Sequence, residues 1–130
     1  MDIEMELSRI IIQETSDTQI IVLKEKGGER SFPISIGIAE AFAIDRRLKG
    51  IPTPRPLTHD LIQSLIVEMG GQLERVIIND LREHTFIATL IIRRDGEVIE
   101  VDSRPSDAIA VGIANNTPIF VAEHVLDEVC

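Results

Sequence analysis

Ser31-Phe32-Pro33-Ile34-Ser35-Ile36-Gly37-Ile38-Ala39-Glu40-Ala41-Phe42-Ala43-Ile44 is an extended segment running into a helix of small and apolar residues. The same plan returns 67 residues later. Phe32 falls on Ile99, Ile34 on Val101, and Glu40-Ala41-Phe42-Ala43-Ile44 on Asp107-Ala108-Ile109-Ala110-Val111. An echo at a fixed offset is the mark of an internal duplication. It places Glu40 and Asp107 in equivalent positions, each in the first turn of its helix.

Working outward, Ile3, Met5 and Leu7 alternate with Glu4, Glu6 and Ser8, as in a strand with one wet face. The run Ile10-Ile11-Ile12 breaks the alternation, so the strand's end is bulged or buried on both sides. Ile20–Leu23 and Ser31–Ile36 complete a first set of three strands. A helix follows over Gly37–Leu48, with Ile38, Ala41, Phe42 and Leu48 on its apolar face and Glu40 turned away. Pro52, Pro54 and Pro56 force an extended link. Thr58 caps a second helix whose apolar stripe is Leu61, Ile62, Leu65, Ile66 and Met69, and Gly70-Gly71 stops it.

The second half gives strands at Val76–Leu81, Thr85–Ile92 and Glu97–Asp102, with Asp95-Gly96 as a hairpin turn. A helix from Arg104 to Asn115 has a Ser103 cap. Ile119-Phe120-Val121 is a short extended piece, and Glu123–Val129 a last helix. The expectation is an α+β fold: a single domain over 1–130, built from a duplicated β(3)-α(2) unit with pseudo-repeats at about 1–70 and 71–130. Its sheet is mostly antiparallel and packed with helices. Ile77-Ile78 and Leu90-Ile91-Ile92 are apolar on both strand faces, which calls for a second sheet or a partner chain and points to a homodimer.

Composition narrows the function. The chain carries 13 basic and 22 acidic residues, a net −9, and has no Trp, no Tyr and four Phe. Passive coating of nucleic acid uses a basic surface and stacking aromatics, so that class is disfavoured. The one cysteine, Cys130, allows no internal disulfide and suits a reducing compartment. Met1-Asp2-Ile3-Glu4 does not open like a signal peptide, and no apolar run is long enough to cross a membrane. A cytoplasmic protein without membrane attachment is expected.

Chemistry concentrates at two Arg-Pro segments. In Arg55-Pro56-Leu57-Thr58-His59-Asp60, His59 and Asp60 fall in a first helical turn, where free N–H groups favour anions. Arg46, Arg47, Lys49 and Arg55 lie within ten residues that hold no acid; they carry +4 and leave −13 for the rest. In Asp102-Ser103-Arg104-Pro105-Ser106-Asp107, Arg104 and Asp107 are spaced to pair on one helix face. Singly, each segment is explained as a capped helix with a local ion pair. Brought together, they would make a phosphate-sized site. Arg55 and Arg104 would neutralise developing charge, and His59 would act as base or acid. Asp60 and Asp107, with Glu40 as their pseudo-equivalent companion, would hold a divalent cation such as Mg²⁺ or Mn²⁺. Arg46, Arg47, Lys49, Thr58 and Ser106 would contact phosphate. His84 and His124 lie away from both motifs, and no metal-ligand spacing, Walker loop, GxSxG or GxGxxG is present.

Pro54-Arg55-Pro56-Leu57-Thr58-His59-Asp60-Leu61 and Asp102-Ser103-Arg104-Pro105-Ser106-Asp107-Ala108-Ile109-Ala110, followed by Pro118-Ile119-Phe120-Val121, resemble the signature of the bifunctional nuclease domain. Ile36-Gly37 with Glu40-Ala41, and Thr85-Phe86, fit the same pattern in order. The resemblance spans about Met5 to Val129 and implies a duplicated β(3)-α(2) fold, a homodimer, and nuclease activity on DNA and RNA. The chain departs from the pattern at Ala114-Asn115, where a basic residue is usual. The sequence therefore supports a nuclease that hydrolyses phosphodiester bonds in DNA or RNA with a divalent cation. The alternative is a non-catalytic dimeric module that binds an anionic ligand or a protein partner at the same helix starts.

Overall fold

The computed structural model describes all 130 residues. Three strands open the chain, β1 (Asp2–Ile11), β2 (Thr18–Glu25) and β3 (Ser31–Gly37), and lead into helices α1 (Ile38–Leu48) and α2 (Thr58–Glu68). Three more follow, β4 (Gln72–Arg82), β5 (Thr85–Arg94) and β6 (Glu97–Ser103). Then come α3 (Pro105–Gly112), one 3-10 turn (Ile113–Asn115), β7 (Ile119–Ala122) and α4 (Glu123–Val129).

All seven strands form one sheet in the order β3-β2-β1-β7-β4-β5-β6. The expected α+β class and mostly antiparallel sheet are found. The piece read as merely extended, Ile119-Phe120-Val121, is instead the central strand. β7 runs antiparallel to β1 (Ile3↔Val121, Met5↔Ile119) and parallel to β4 (Val76↔Ile119, Ile78↔Val121), and so joins the two three-stranded meanders. The sheet curls strongly. Phe32 on edge strand β3 and Phe86 on β5 have ring centroids only 5.6 Å apart, although four strands lie between theirs in the sheet order. The core lies inside this curl. Met5, Ile21, Leu23, Phe32, Ile78 and Val121 from the sheet meet Ile44, Ile109, Val125 and Leu126 from the helices.

Local chemistry explains most boundaries. Asp95 and Gly96 both have positive φ (49° and 79°), the two-residue turn whose twist suits a hairpin. Glu83 and His84 adopt the same geometry (φ 48° and 66°) without a glycine. A left-handed residue with a Cβ costs about 1–2 kcal/mol. Replacing Glu83-His84 by Asn-Gly is therefore expected to raise stability by about 1 kcal/mol, read as a higher urea midpoint with an unchanged slope. A bulge does occur in β1, but ahead of Ile10-Ile11-Ile12: the β1–β2 register shifts between Leu7 and Arg9, and Ile10 and Ile11 then pair regularly with Ile21 and Ile20. Gln19 is fully buried yet satisfied. Its Nε2 donates to the carbonyls of Gln13 (3.0 Å) and Ser16 (2.7 Å), and its Oε1 accepts from the Gln13 N–H.

The helix faces depart from expectation. Glu40, expected to face solvent, is buried with Ala41 and Ile44, whereas Ile38, Phe42 and Leu48 are exposed. The buried side of α1 is set by the packing of α1 against α3, and Arg104 at the start of α3 supplies Glu40 with a cation. On α2 only Ile62 and Ile66 pack on the core; Leu61, Leu65 and Met69 stand in solvent. By contrast α3 is enclosed, with Ala108, Ile109, Ala110, Val111 and Gly112 all buried. Its small residues let α1 and α2 pack beside it. The uncovered apolar surface therefore lies on the helices and on edge strand β6, where Val98, Ile99 and Val101 are exposed, not on the two-sided strands β4 and β5. Ile91 is 6% exposed, although it alternates with the core-facing Leu90 and Ile92. It sits beside Arg75, whose guanidinium lies over the Phe120 ring at 5.4 Å. No helix is long and apolar enough to cross a membrane.

Candidate active site

Glu40, Asp60 and Asp107 occupy the same place in three helices. Each is the third helical residue, after the N-caps Gly37, Leu57 and Arg104. Acids there complement the positive end of the helix dipole. The caps differ from the sequence reading, which assigned them to Thr58 and Ser103. At α2 the N-cap is Leu57, and the Asp60 carboxylate reaches back to accept its N–H at 3.0 Å. Thr58 is the first helical residue and makes no capping bond. At α3 the N-cap is Arg104, and the Ser103 hydroxyl donates to the Arg104 carbonyl at 2.8 Å. At α1 the Glu40 side chain folds back so closely that a Cβ on Gly37 would come within 2.8 Å of its Oε1, so a side chain there would push the carboxylate aside.

From these helix starts runs a continuous chain of charged side chains. Arg104 donates from Nε to Asp107 Oδ2 at 2.8 Å, and its terminal nitrogen lies 2.7 Å from the same oxygen and 3.3 Å from Glu40 Oε1. The other Asp107 oxygen meets His59 Nε2 at 2.9 Å. The two acids placed in register by the 67-residue echo thus share one arginine. The imidazole is nearly enclosed, with 14% of its side chain exposed. Burial works to raise the Asp107 pKa, but the hydrogen bonds from His59 and Arg104 outweigh it and hold the carboxyl below its usual value. Being ionised, Asp107 can only accept, so His59 Nε2 donates in this contact, and Nδ1 makes no hydrogen bond.

Asp60 belongs to a second cluster. Its carboxylate is bound by Arg47 and by the Leu57 N–H. Burial pushes its pKa up, and the Arg47 hydrogen bond with the Leu57 N–H and the nearby charges brings it below the usual range. Arg104 is held more basic than usual by Asp107, with Glu40 adding to the effect.

Three surface clefts surround this arrangement. One, of 400 Å³ between α1 and α2, is lined by His59, Thr58, Arg46 and Phe42. A second, of 530 Å³, holds Arg47, Arg55 and Asp60. A third, of 470 Å³, holds Arg104, buried Ser106 and His84. The structure therefore gathers Glu40, Arg46, Arg47, Arg55, Thr58, His59, Asp60, Arg104, Ser106 and Asp107 at one end of the fold. Lys49 does not join them; it pairs with Asp45 one turn back at 3.0 Å and lines none of the three clefts. His84 was passed over in the sequence. It reaches the third cleft because the hairpin tip it occupies comes beside the start of α3.

The expected cation cage does not fit these residues as they are arranged. No three His, Cys, Asp or Glu side chains converge on one position. Glu40 and Asp107 are committed to Arg104, and Asp60 to Arg47. Guanidinium groups stand where a cation would have to sit.

A histidine held by an ionised aspartate thus sits in a surface cleft with Arg46, while Arg47 and Arg55 line the next one. Residues 21–130 match the family model of the bifunctional nuclease domain, and the chain belongs to that family. It is 42% identical over 123 residues to an uncharacterized protein of Mycobacterium tuberculosis (strain ATCC 25618 / H37Rv), covering 95% of this chain and 73% of that one. It is 29% identical over 114 residues to bifunctional nuclease 2 of Oryza sativa subsp. japonica, covering 85% of this chain and 35% of the rice protein. To bifunctional nuclease 1 of Oryza sativa subsp. indica it is 25% identical over 118 residues, covering 88% and 36%. The chain thus spans about a third of these plant proteins.

Proposed function

We propose that this protein is a nuclease that hydrolyses phosphodiester bonds of DNA or RNA, with His59 as proton-transfer group and Asp107 as its positioning partner. The 2.9 Å contact between His59 Nε2 and Asp107 carries the reading. The free Nδ1 accepts a proton from water as the water oxygen bonds to phosphorus. The P–O ester bond breaks, and the imidazolium returns the proton to the leaving oxygen. Arg46 and Arg55, neither of them in an ion pair, offset the charge that builds on the phosphoryl oxygens, and Arg104 adds to the positive field from beside Asp107. Thr58 and Ser106 line clefts on either side as phosphate contacts.

This route needs no resident cation. The test is cleavage of single-stranded DNA and RNA by purified protein with and without chelator. Cutting that survives chelation supports the histidine-arginine route. Cutting that is lost restores the Mg²⁺ or Mn²⁺ requirement expected from the sequence, with Asp60, Asp107 and Glu40 as the acids at hand.

The protein's own partner is read as a second copy of the chain. Its accessible surface is 7784 Å². A folded monomer of 14.5 kDa is expected to expose about 6,900 Å². The excess of about 900 Å² is close to one side of a standard interface, about 800 Å² per partner. Leu57, Leu61, Leu65 and Met69 recur along α2 as an uncovered apolar stripe, each more than 40% exposed. Leu61→Glu with Leu65→Glu is expected to convert a dimer to a folded monomer, checked by sedimentation equilibrium. A single mass of one chain in wild type would contradict the dimer.

The same stripe favours the second reading, a non-catalytic dimeric module for an anionic ligand or protein partner. Highly purified protein that binds nucleotides and cuts nothing under any ionic condition would establish it. The lone, exposed Cys130 accords with a reducing, cytoplasmic location.

A further inference from the structure

The 530 Å³ cleft lies between the proline-rich link, α2 and the end of α3, next to the proposed reaction site but outside its proton-transfer chemistry. Arg55 and Asp60 stand at its α2-start side, and Asp60 is the chain neighbour of His59. Gln63 and Ser64 enter from the next turn of α2, and Asn115 from the 3-10 turn. Gln63 is the unusual member. Its Oε1 is shut off from solvent and has no hydrogen-bond partner, and no other bond to its carboxamide is present. Buried side-chain oxygens are nearly always paired, because leaving one unpaired forfeits its solvation. The argument survives exchange of the amide oxygen and nitrogen, since neither end is engaged.

A carboxamide offers a donor and an acceptor side by side, which matches the paired acceptor and donor on the edge of a nucleobase. Single-stranded nucleic acid presents such edges to protein side chains. Ser64 and Asn115 add further donors and acceptors, Pro54 adds an apolar wall, and Arg55 is free for the nucleotide's phosphate. The volume is in the range of small-molecule pockets. We propose that this cleft is a nucleobase-binding subsite, in which the Gln63 side chain turns its unpaired carboxamide out of its solvent-inaccessible position to pair with the base of a nucleotide flanking the scissile phosphate. The proposal rests on the nucleic-acid reading of the neighbouring site and adds to it where base recognition occurs.

The test is binding, independent of turnover. Intact protein is titrated with AMP, GMP, CMP and UMP, and with ribose 5-phosphate as the base-free control. Wild type is expected to bind at least one nucleotide about tenfold or more tightly than ribose 5-phosphate. Gln63→Leu, similar in size and without the amide, is expected to bring that ratio close to one while its thermal unfolding midpoint stays at or above that of wild type. Asn115→Ala, on a different element, is expected to reduce the ratio partially. Equal binding of nucleotides and ribose 5-phosphate by wild type, or a preference that survives in Gln63→Leu, would overturn the subsite. Hydrolysis of bis(p-nitrophenyl) phosphate by wild type reports separately on the chemistry. A protein that shows the Gln63-dependent preference but leaves this ester intact keeps the subsite and loses the hydrolase.

Discussion

His59→Asn is expected to lower phosphodiester cleavage by about 10²–10⁴-fold, the usual share of a positioned acid-base group. The fold should survive, because the side chain sits at the start of α2, away from the apolar core, and Asp107 keeps its bonds to Arg104. The stability change is expected to stay at about 1 kcal/mol, the net worth of one hydrogen bond. Asn keeps some reach for hydrogen bonding but has no group that exchanges a proton near neutral pH. Steady-state cleavage of a fluorogenic single strand, paired with urea unfolding of the same preparation, checks both halves. A variant that cuts as fast as wild type would remove His59 from the chemistry.

Arg104→Met carries the largest expected effect on stability among the site residues. Methionine keeps the aliphatic stem but removes the guanidinium that Glu40 and Asp107 share. Glu40, only 11% exposed at its side chain, then has no cationic partner, and Asp107 keeps only His59. Stranding a nearly buried acceptor costs about 1–3 kcal/mol. The pH dependence has a definite sign. The folded-state pKa of Asp107 lies below the ordinary 3.8. Its contribution is therefore fully present above the unfolded value and is lost as pH falls through the folded one. The gap between wild type and variant should be largest near neutral pH and shrink below about pH 4, where the unfolded-state carboxyl is protonated. Urea midpoints at neutral and acid pH give the comparison. Identical midpoints near neutral pH would show that Arg104 holds neither acid.

What was legible in the sequence was local. Asp95-Gly96 announced its hairpin because its two positive φ angles favour those residues, while Glu83-His84 takes the same turn with no such signal. The Arg104–Asp107 pair followed from three-residue spacing on a helix. What was missed depends on distant parts of the chain. The four residues of β7 are too short to show a period, and their central place comes from pairing with β1 and β4. Glu40 was assigned to solvent because a helical wheel cannot include Arg104, which comes from another helix. Both Arg-Pro segments were singled out, but the bond that joins them, His59 to Asp107, crosses 48 residues and appears only in the fold. The partners of the candidate metal-binding acids also come from distant parts of the chain. Carboxylates at helix starts look like ligands until the arginines that occupy them are placed.

The most direct test of the central claim is a double-mutant cycle on cleavage by His59→Asn, Asp107→Asn and the two combined, purified in parallel. If the histidine works through the aspartate, each single variant loses most of the rate, and the double variant is no slower than the slower single. Losses that multiply in the double variant, or three variants that cut like wild type, would contradict the account.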